Sequence, residues 1–171
     1  MLRSLVGSEM CIRDRASAAF EDFLMAMDGQ LAWLESEAAK KYISLNLSPQ
    51  TPEQIETLFD LMSQDLDEDD VSRLLVVFGR YLGEFFRIHH GGQWVLPLDD
   101  EKDVNFNVPV ICGHSVVPEL EFAPIRVIRG YSLRRKPGCI RQAINNQINP
   151  EILDLGEEAA REKRGRGKRS A

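Results

Sequence analysis

The chain has 171 residues, 43% of them apolar and 28% charged, a composition far from that of disordered or membrane proteins. Its length suffices for one domain with a sizeable core, since a domain of about 150 residues buries roughly 68–70% of its unfolded surface. Of the net charge of −6, residues 161–171 carry +5 and residues 1–15 carry +1, so −12 falls on residues 16–160. An acidic body repels nucleic acid and anionic membranes, so we expect no membrane contact and no nucleic-acid binding beyond weak contacts by the basic tail.

The first fifteen residues, MLRSLVGSEMCIRDR, resemble the conceptual translation of a sequencing adapter joined in frame to a truncated gene. A signal peptide is a poor interpretation, because charged residues interrupt the apolar run and no small-residue cleavage site follows. We therefore expect residues 1–15 to lie outside the fold, a single domain to span residues 16–155, and residues 156–171 to form a disordered basic tail. The true protein would then begin upstream of Ala16.

Two amphipathic helices are predicted in the first third of the chain. Apolar residues recur at three- and four-residue steps over about residues 17–43, and again over about residues 51–64 after a proline-rich connector. Thr51 is expected to cap the second helix, with Pro52 at its first position and Gln54 completing a capping box.

A third helix, over about residues 69–90, is the most apolar segment of the chain and is expected at the centre of the domain. Gly79 and Gly83 stack on one side of it. Each costs about 1 kcal/mol of helix propensity relative to Ala, which indicates that another element approaches the backbone there. Gly91 and Gly92 are expected to end the helix in the left-handed conformation.

Glu84 lies within this apolar helix, four residues after Arg80 and three before Arg87. Two interpretations stay open. The three side chains could form an ordinary surface charge network, or Glu84 could be a partly buried carboxylate that holds the sheet or the loop after Gly92.

Acidic residues are concentrated where the second helix meets the third. They are Asp60, Asp65, Asp67, Glu68, Asp69 and Asp70. Three of them fit alternate positions of a calcium-binding EF-hand loop, but Asp70 stands where that loop needs Gly and Val76 where it needs Glu. The sequence therefore favours a structural role over calcium binding: the acidic residues cap the third helix and interact with the positive end of its dipole.

A small antiparallel sheet is predicted next, from a hairpin of residues 93–98 and 104–112 and a short third strand near residues 120–122. Alternation predicts an inward face and an outward one. Val104, Phe106, Val108 and Val110 would face the helices, with Asn105 and Asn107 outward. Helices are then predicted from Pro124 to before Lys136 and from Ile140 to Ile148.

The predicted fold class is therefore α+β. Three N-terminal helices pack on a small antiparallel sheet of two or three strands, followed by one or two short helices and a disordered basic tail.

The cysteine and histidine residues are the candidates for chemistry. Cys112 and Cys139 are too few for a disulfide framework and favour a reducing cytoplasm. His89 and His90 are adjacent on a helix and point about 100° apart, so only one of them could join His114 and Cys112 at a metal. Positive charge around Cys139, from Arg134, Arg135, Lys136 and Arg141, is expected to lower its thiol pKa.

The sequence lacks the GxxxxGK(S/T), GxGxxG, GxSxG and HExxH patterns of phosphate-binding loops and common hydrolases. The favoured interpretation is a non-enzymatic cytoplasmic protein that has no metal or cofactor and whose acidic residues contact a basic protein partner. The alternative is a small cysteine- or metal-dependent enzyme that uses Cys112 or Cys139 with His114 or His89.

The segments YLGE at residues 81–84 and GGQW at residues 91–94 resemble the core of a group of uncharacterised small bacterial proteins with a "YLGE…GGxW" pattern. The resemblance covers about residues 45–135. It implies an α+β fold with helices first and a hairpin after, and it transfers no active site. Some small acidic proteins of this kind resemble toxin-neutralising immunity proteins in size and charge.

Overall fold

The computed structural model describes residues 3–117 and 120–149, with side chains described from Cys11 onward. The helices are α1 (Arg3–Met25), α2 (Met27–Lys40), α3 (Thr51–Met62), α4 (Glu68–His90), α5 (Pro124–Arg134) and α6 (Cys139–Ile148), and the strands are β1 (Gln93–Val95) and β2 (Val110–Cys112). The predicted α+β class is confirmed. Within these residues, no helix combines the length and apolar content needed to cross a membrane. The predicted basic tail lies outside the described residues.

The first predicted helix is two helices in the structure. The break falls at Ala26, and both helices keep one apolar face against the core, with Phe23, Met27 and Leu34 buried. Helix α1 begins at Arg3 and so runs through the predicted boundary at residue 15.

The capping box predicted at the start of α3 is wrong. Gln50 already has helical backbone angles, and its carbonyl accepts the Gln54 backbone N–H at 3.2 Å. Thr51 therefore lies inside the first turn rather than at an extended capping position. Its hydroxyl and the Gln54 side-chain oxygen are buried without a partner among the described residues.

Helix α4 is the central element, as predicted, and it contacts α2, α3, α5 and β2. Asp67 caps its start by accepting the Asp70 N–H at 2.8 Å, and Gly91 ends it with φ of 80°. Between these caps, Phe78 and Phe86 are fully buried. Local capping and a wide apolar face thus place one long helix through the core.

The two strands form an antiparallel pair in which Trp94 lies opposite Ile111. They are shorter than predicted, residues 96–109 join them, and the predicted third strand is reduced to a single bridge between Ile111 and Phe122.

The predicted alternation of faces before β2 is also wrong. Val104 is 71% exposed and Asn105 only 8%. The Asp103 carboxylate accepts the Asn105 N–H at 2.8 Å, and Asn107 has a φ of 55°, so the backbone turns here and the two-residue period of a strand does not apply.

Helices α5 and α6 match their predicted positions and form a helical hairpin that contacts α4 through α5 and α3 through α6. Glu56 of α3 anchors the start of α6. Its carboxylate accepts the backbone N–H groups of Gly138 at 2.7 Å and Ile140 at 2.9 Å. These are N–H groups that the helix itself leaves unpaired, so Glu56 caps α6 from another element.

Candidate functional site

Residues 65–69, here named the acidic turn, comprise the end of the α3–α4 connection and the first two residues of α4, and they are exposed. In the part of the chain that the structure describes, none of its carboxylates forms an ion pair. Two apolar side chains accompany them, since Leu61 is 41% exposed and Leu66 39%. The acidic turn therefore presents carboxylates and apolar carbon to solvent together.

Two of the six predicted partner-binding carboxylates are already engaged within the fold. Asp60 accepts the Tyr131 hydroxyl at 2.8 Å and pairs with Arg135, and so ties α3 to α5. Burial, with the hydrogen bond to Asp60, raises the pKa of Tyr131. Asp70 pairs with Arg73 at 3.1 Å.

The glycines of α4 lie where other elements touch its backbone. A Cβ at Gly79 would lie 2.5 Å from Ile125 Cγ1, and one at Gly83 would lie 2.1 Å from Trp94 Cζ2. The close approach predicted from their four-residue spacing is therefore present, with α5 at Gly79 and the indole of β1 at Gly83.

Of the two interpretations of Glu84, the structure shows the buried carboxylate. Glu84 is 9% exposed, accepts the Trp94 indole N–H at 2.7 Å and pairs with Arg87 at 2.7 Å. Burial alone would raise the pKa of Glu84, but the hydrogen bonds from Arg87 and Trp94 outweigh it and the pKa is lowered. Glu84 thus holds β1 against α4.

Arg80 does not join this pair. Its Nε donates to the Phe23 carbonyl at 3.2 Å, another nitrogen bonds Gln30, and its guanidinium lies 4.1 Å from the centre of the Phe23 ring. Burial lowers the pKa of Arg80. The surface charge network was therefore the wrong alternative.

Cys112 and Cys139 are partly buried thiols. Burial raises the pKa of Cys112, with help from Glu121 and Asp103. The pKa of Cys139 is also raised, by burial and by Glu56, which outweigh the nearby cations. The expected lowering at Cys139 is therefore wrong, because the sequence did not reveal that the thiol packs against the core beside Glu56.

The histidines lie at the C-terminal end of α4 and after β2. His89 Nε2 is 2.7 Å from the Leu47 carbonyl. Both ring nitrogens of His114 are buried near Gln147 and the Ile111 backbone, without full hydrogen-bond geometry to either among the described residues. The His114 ring lies edge-on to Phe86 at 4.8 Å. Burial lowers the pKa of His114. The pKa of His90 is also lowered, by burial and by the neighbouring His89 and His114.

No hydrogen bond joins a described thiol to a described histidine. The same residues also contain no group of three side chains that could hold a metal ion.

A groove of about 470 Å³ between α5 and α6 was not predicted from the sequence. It is lined by Val104, Asn105, Glu121, Phe122, Ala123, Arg126, Val127, Gly130, Arg134, Cys139, Ala143, Asn146 and Gln147. Small residues on the facing sides of the hairpin, Gly130 and Ala143, were the available signal. They carry information only once the two helices are known to pack together.

Comparisons of the chain with protein-family models, curated proteins and solved structures give no match. The similarity to the "YLGE…GGxW" group therefore stays a prediction from the sequence.

Proposed function

We propose that this chain is a non-enzymatic cytoplasmic protein-binding domain, of the inhibitor or immunity type, whose acidic turn contacts a basic protein partner. The observation that carries the proposal is the exposure of Asp65, Asp67, Glu68 and Asp69 on one turn beside Leu61 and Leu66. Asp60 is not part of the proposed contact surface, because its carboxylate holds α5.

Long-range charge supports a basic partner. Residues 16–160 carry −12, and a negative field of this kind raises the association rate of a cationic partner and weakens as salt is added. Charges give orientation and speed more than affinity, which needs apolar contact area that the partner can desolvate. Leu61 and Leu66 supply such area at the acidic turn.

The acidic turn is also held in place before any partner arrives. Asp67 caps α4 through the Asp70 N–H, and Asp65 has a left-handed φ of 61°. Helix α3 enters the turn from a buried face that includes Leu58 and Phe59. A preorganised surface loses less conformational entropy on binding, so its charges can be used at low cost.

The enzyme alternative has less support from the geometry. A cysteine nucleophile needs a lowered pKa and a base within reach, whereas burial raises the pKa of both Cys112 and Cys139. The Leu47 carbonyl, moreover, already occupies the Nε2 of His89.

Affinity capture from a lysate of the cells that encode the chain tests the proposal. The wild-type chain is compared with a charge-reversed variant, Glu68→Lys with Asp69→Lys, at low and at high salt. The matched control, Glu21→Lys with Asp22→Lys, makes the same change in net charge at two adjacent exposed carboxylates of α1, neither of which forms an ion pair among the described residues. Asp67 is left intact in both, so that the cap of α4 is not removed.

The expected result is a basic protein retained by the wild type and by the control, and lost from the charge-reversed variant and at high salt. Retention by the charge-reversed variant at wild-type level would show that the acidic turn only caps α4 and interacts with water. Equal loss from both variants would show that net charge, and not this turn, is recognised.

A further inference from the structure

The charge of this acidic chain is strongly polarised. Residues 16–119 carry −13, whereas residues 120–149 carry six Arg and Lys against Glu121 alone, a net +5. These cations lie on α5, on α6 and on the turn between them. Arg135 and Arg141 are ion-paired with Asp60 and Glu53 of α3. The basic face of the hairpin therefore consists of Arg126, Arg129, Arg134 and Lys136, whose charge is the reverse of what would attract a basic partner.

Two arginines of this basic face line the groove between α5 and α6. Arg126 and Arg134 are exposed and lie on either side of Gly130 along α5. Arg134 Nη1 lies 3.1 Å from the point where a Gly130 Cβ would stand, so its guanidinium folds back along the helix toward Arg126. Within the described residues Arg134 forms no ion pair, and Arg126 donates one N–H to the Val104 carbonyl.

The room for a ligand comes from small side chains. Gly130 on α5 faces Cys139 and Ala143 on α6, which are four residues apart and therefore on one side of that helix. The resulting groove of about 470 Å³ lies within the range of roughly 300–1,000 Å³ that is usual for small-molecule sites.

The lining combines apolar carbon with a few polar groups, among them the Glu121 carboxylate, which accepts the Asn105 side-chain N–H at 2.8 Å. Val127 and Ala143 contribute apolar surface, and Asn146 contributes an amide. Gln147 donates its side-chain N–H to the Glu121 backbone carbonyl at 3.2 Å, and its side chain also lies beside the buried His114 ring. Apolar walls with a small number of polar groups are typical of sites for small organic molecules.

We propose that the groove between α5 and α6 binds a small organic anion, with the anionic group held by the guanidinium groups of Arg134 and Arg126 and the apolar body resting against Val127 and Ala143. Guanidinium groups bind both carboxylates and phosphates through paired N–H donors, so either group satisfies this chemistry. The site is separate from the acidic turn and does not depend on the proposed protein partner.

Cys139 provides a reporter for occupancy, because its thiol lines the groove. The full chain is alkylated with iodoacetamide at about pH 8.5, near the ordinary thiol pKa, and each cysteine is followed by peptide mass spectrometry. The rates are measured with phenyl phosphate, benzoate or neutral benzyl alcohol, at constant ionic strength. Cys11 is exposed and serves as the internal control.

The expected result is saturable protection of Cys139, but not of Cys11, by one or both anions. The anion that gives half-protection at the lower concentration identifies the group that the site prefers. Arg134→Gln should raise that concentration roughly fivefold or more, as loss of a charge-assisted hydrogen bond would. Arg129→Gln, which removes an exposed charge of α5 outside the groove, should change it by less than about twofold.

A third variant fills the groove without weakening the fold. At Gly130 only the Arg134 side chain lies within 4 Å of an added Cβ, and leucine is a better helix former than glycine. In Gly130→Leu, Cys139 should therefore be alkylated at the same rate with and without anion. Thermal unfolding should show a chain at least as stable as the wild type.

The proposal would be overturned if neither anion protected Cys139, if Cys11 were protected as well as Cys139, or if benzyl alcohol protected Cys139 as well as the anions do. It would also be overturned if Arg129→Gln and Arg134→Gln raised the half-protection concentration equally. The last would mean that the basic face attracts anions without a site. None of these results bears on the acidic turn.

Discussion

Trp94 donates its indole N–H to Glu84 across 2.7 Å while its ring lies against the backbone of Gly83. The Trp94 side chain therefore fixes β1 to α4 by a hydrogen bond to Glu84 and by packing against the neighbouring Gly83. The Phe23 ring meets the same indole edge-on at 5.2 Å, so α1 is joined to this contact as well. The missing side chain of Gly83 is what lets the indole reach the carboxylate.

Replacing Gly83 with Ala should destabilise the fold. The added Cβ would lie 2.1 Å from Trp94 Cζ2, and ring and helix would have to separate. Overpacking of this kind costs about 1–3 kcal/mol, which exceeds the gain of about 1 kcal/mol from helix propensity when the clash cannot relax. Urea unfolding measures the change.

Gly29→Ala is the matched control, because nothing lies within 4 Å of its Cβ position. It should stabilise the chain by about 0.5–1 kcal/mol through propensity alone. If Gly83→Ala stabilised to the same extent, the steric account of Trp94 would be wrong.

Phe78→Ala should cost about 3–5 kcal/mol, the usual loss for a fully buried aromatic side chain. Phe78 is completely buried and lies edge-to-face with Phe59 at 5.1 Å, so the cavity opens between α3 and α4. Chemical denaturation gives the value. A loss below about 1 kcal/mol would mean that α4 is not the centre of the core.

The central helix could be predicted because its signals are local. Asp67, Gly91 and the apolar face between them lie in one continuous segment, and capping and periodicity act within a few residues. The partners of Glu84 could not be chosen in the same way. Both Arg80 and Arg87 are within reach on the helix, and only the packing of α1 sends Arg80 to Phe23 and Gln30 instead.

Prediction failed where the backbone changes direction. The apolar–polar alternation that predicts a strand at Val104 belongs to a series of turns, in which the Asp103 side chain and the left-handed Asn107 set the conformation. The groove between α5 and α6 was missed for a different reason. Gly130 and Ala143 are small residues in separate helices, and their meaning appears only when the helices are packed.

Glu56→Ala should loosen the helical hairpin. The Glu56 carboxylate accepts the N–H groups of Gly138 and Ile140, so its loss leaves two donors unpaired at the start of α6. Loss of a cap costs about 0.5–2 kcal/mol, and a buried unpaired donor adds about 1–3 kcal/mol. Amide hydrogen exchange should show faster exchange in Cys139–Ile148, while β1 keeps the wild-type rate. Uniform acceleration throughout the chain would show that Glu56 supports the whole core and not this hairpin.

Glu84→Gln should reduce stability in a pH-dependent way. The pKa of Glu84 is lower in the folded chain than its ordinary value, because hydrogen bonds from Arg87 and Trp94 outweigh burial. A carboxylate of this kind contributes stability above its unfolded pKa of about 4.3, and the contribution is lost as the pH falls through the lower folded pKa. At neutral pH the variant should lose about 1–3 kcal/mol, since an amide is a weaker acceptor for a guanidinium.

The measurement is the difference in unfolding free energy between wild type and Glu84→Gln, from urea titrations at a series of pH values. The difference should be widest near neutrality and shrink below about pH 4, where the wild-type carboxylate takes up a proton. Glu101→Gln is the control, because the exposed Glu101 carboxylate accepts no hydrogen bond among the described residues. A difference for Glu84→Gln that stayed constant with pH would show that shape, and not the ionised carboxylate, holds β1 to α4.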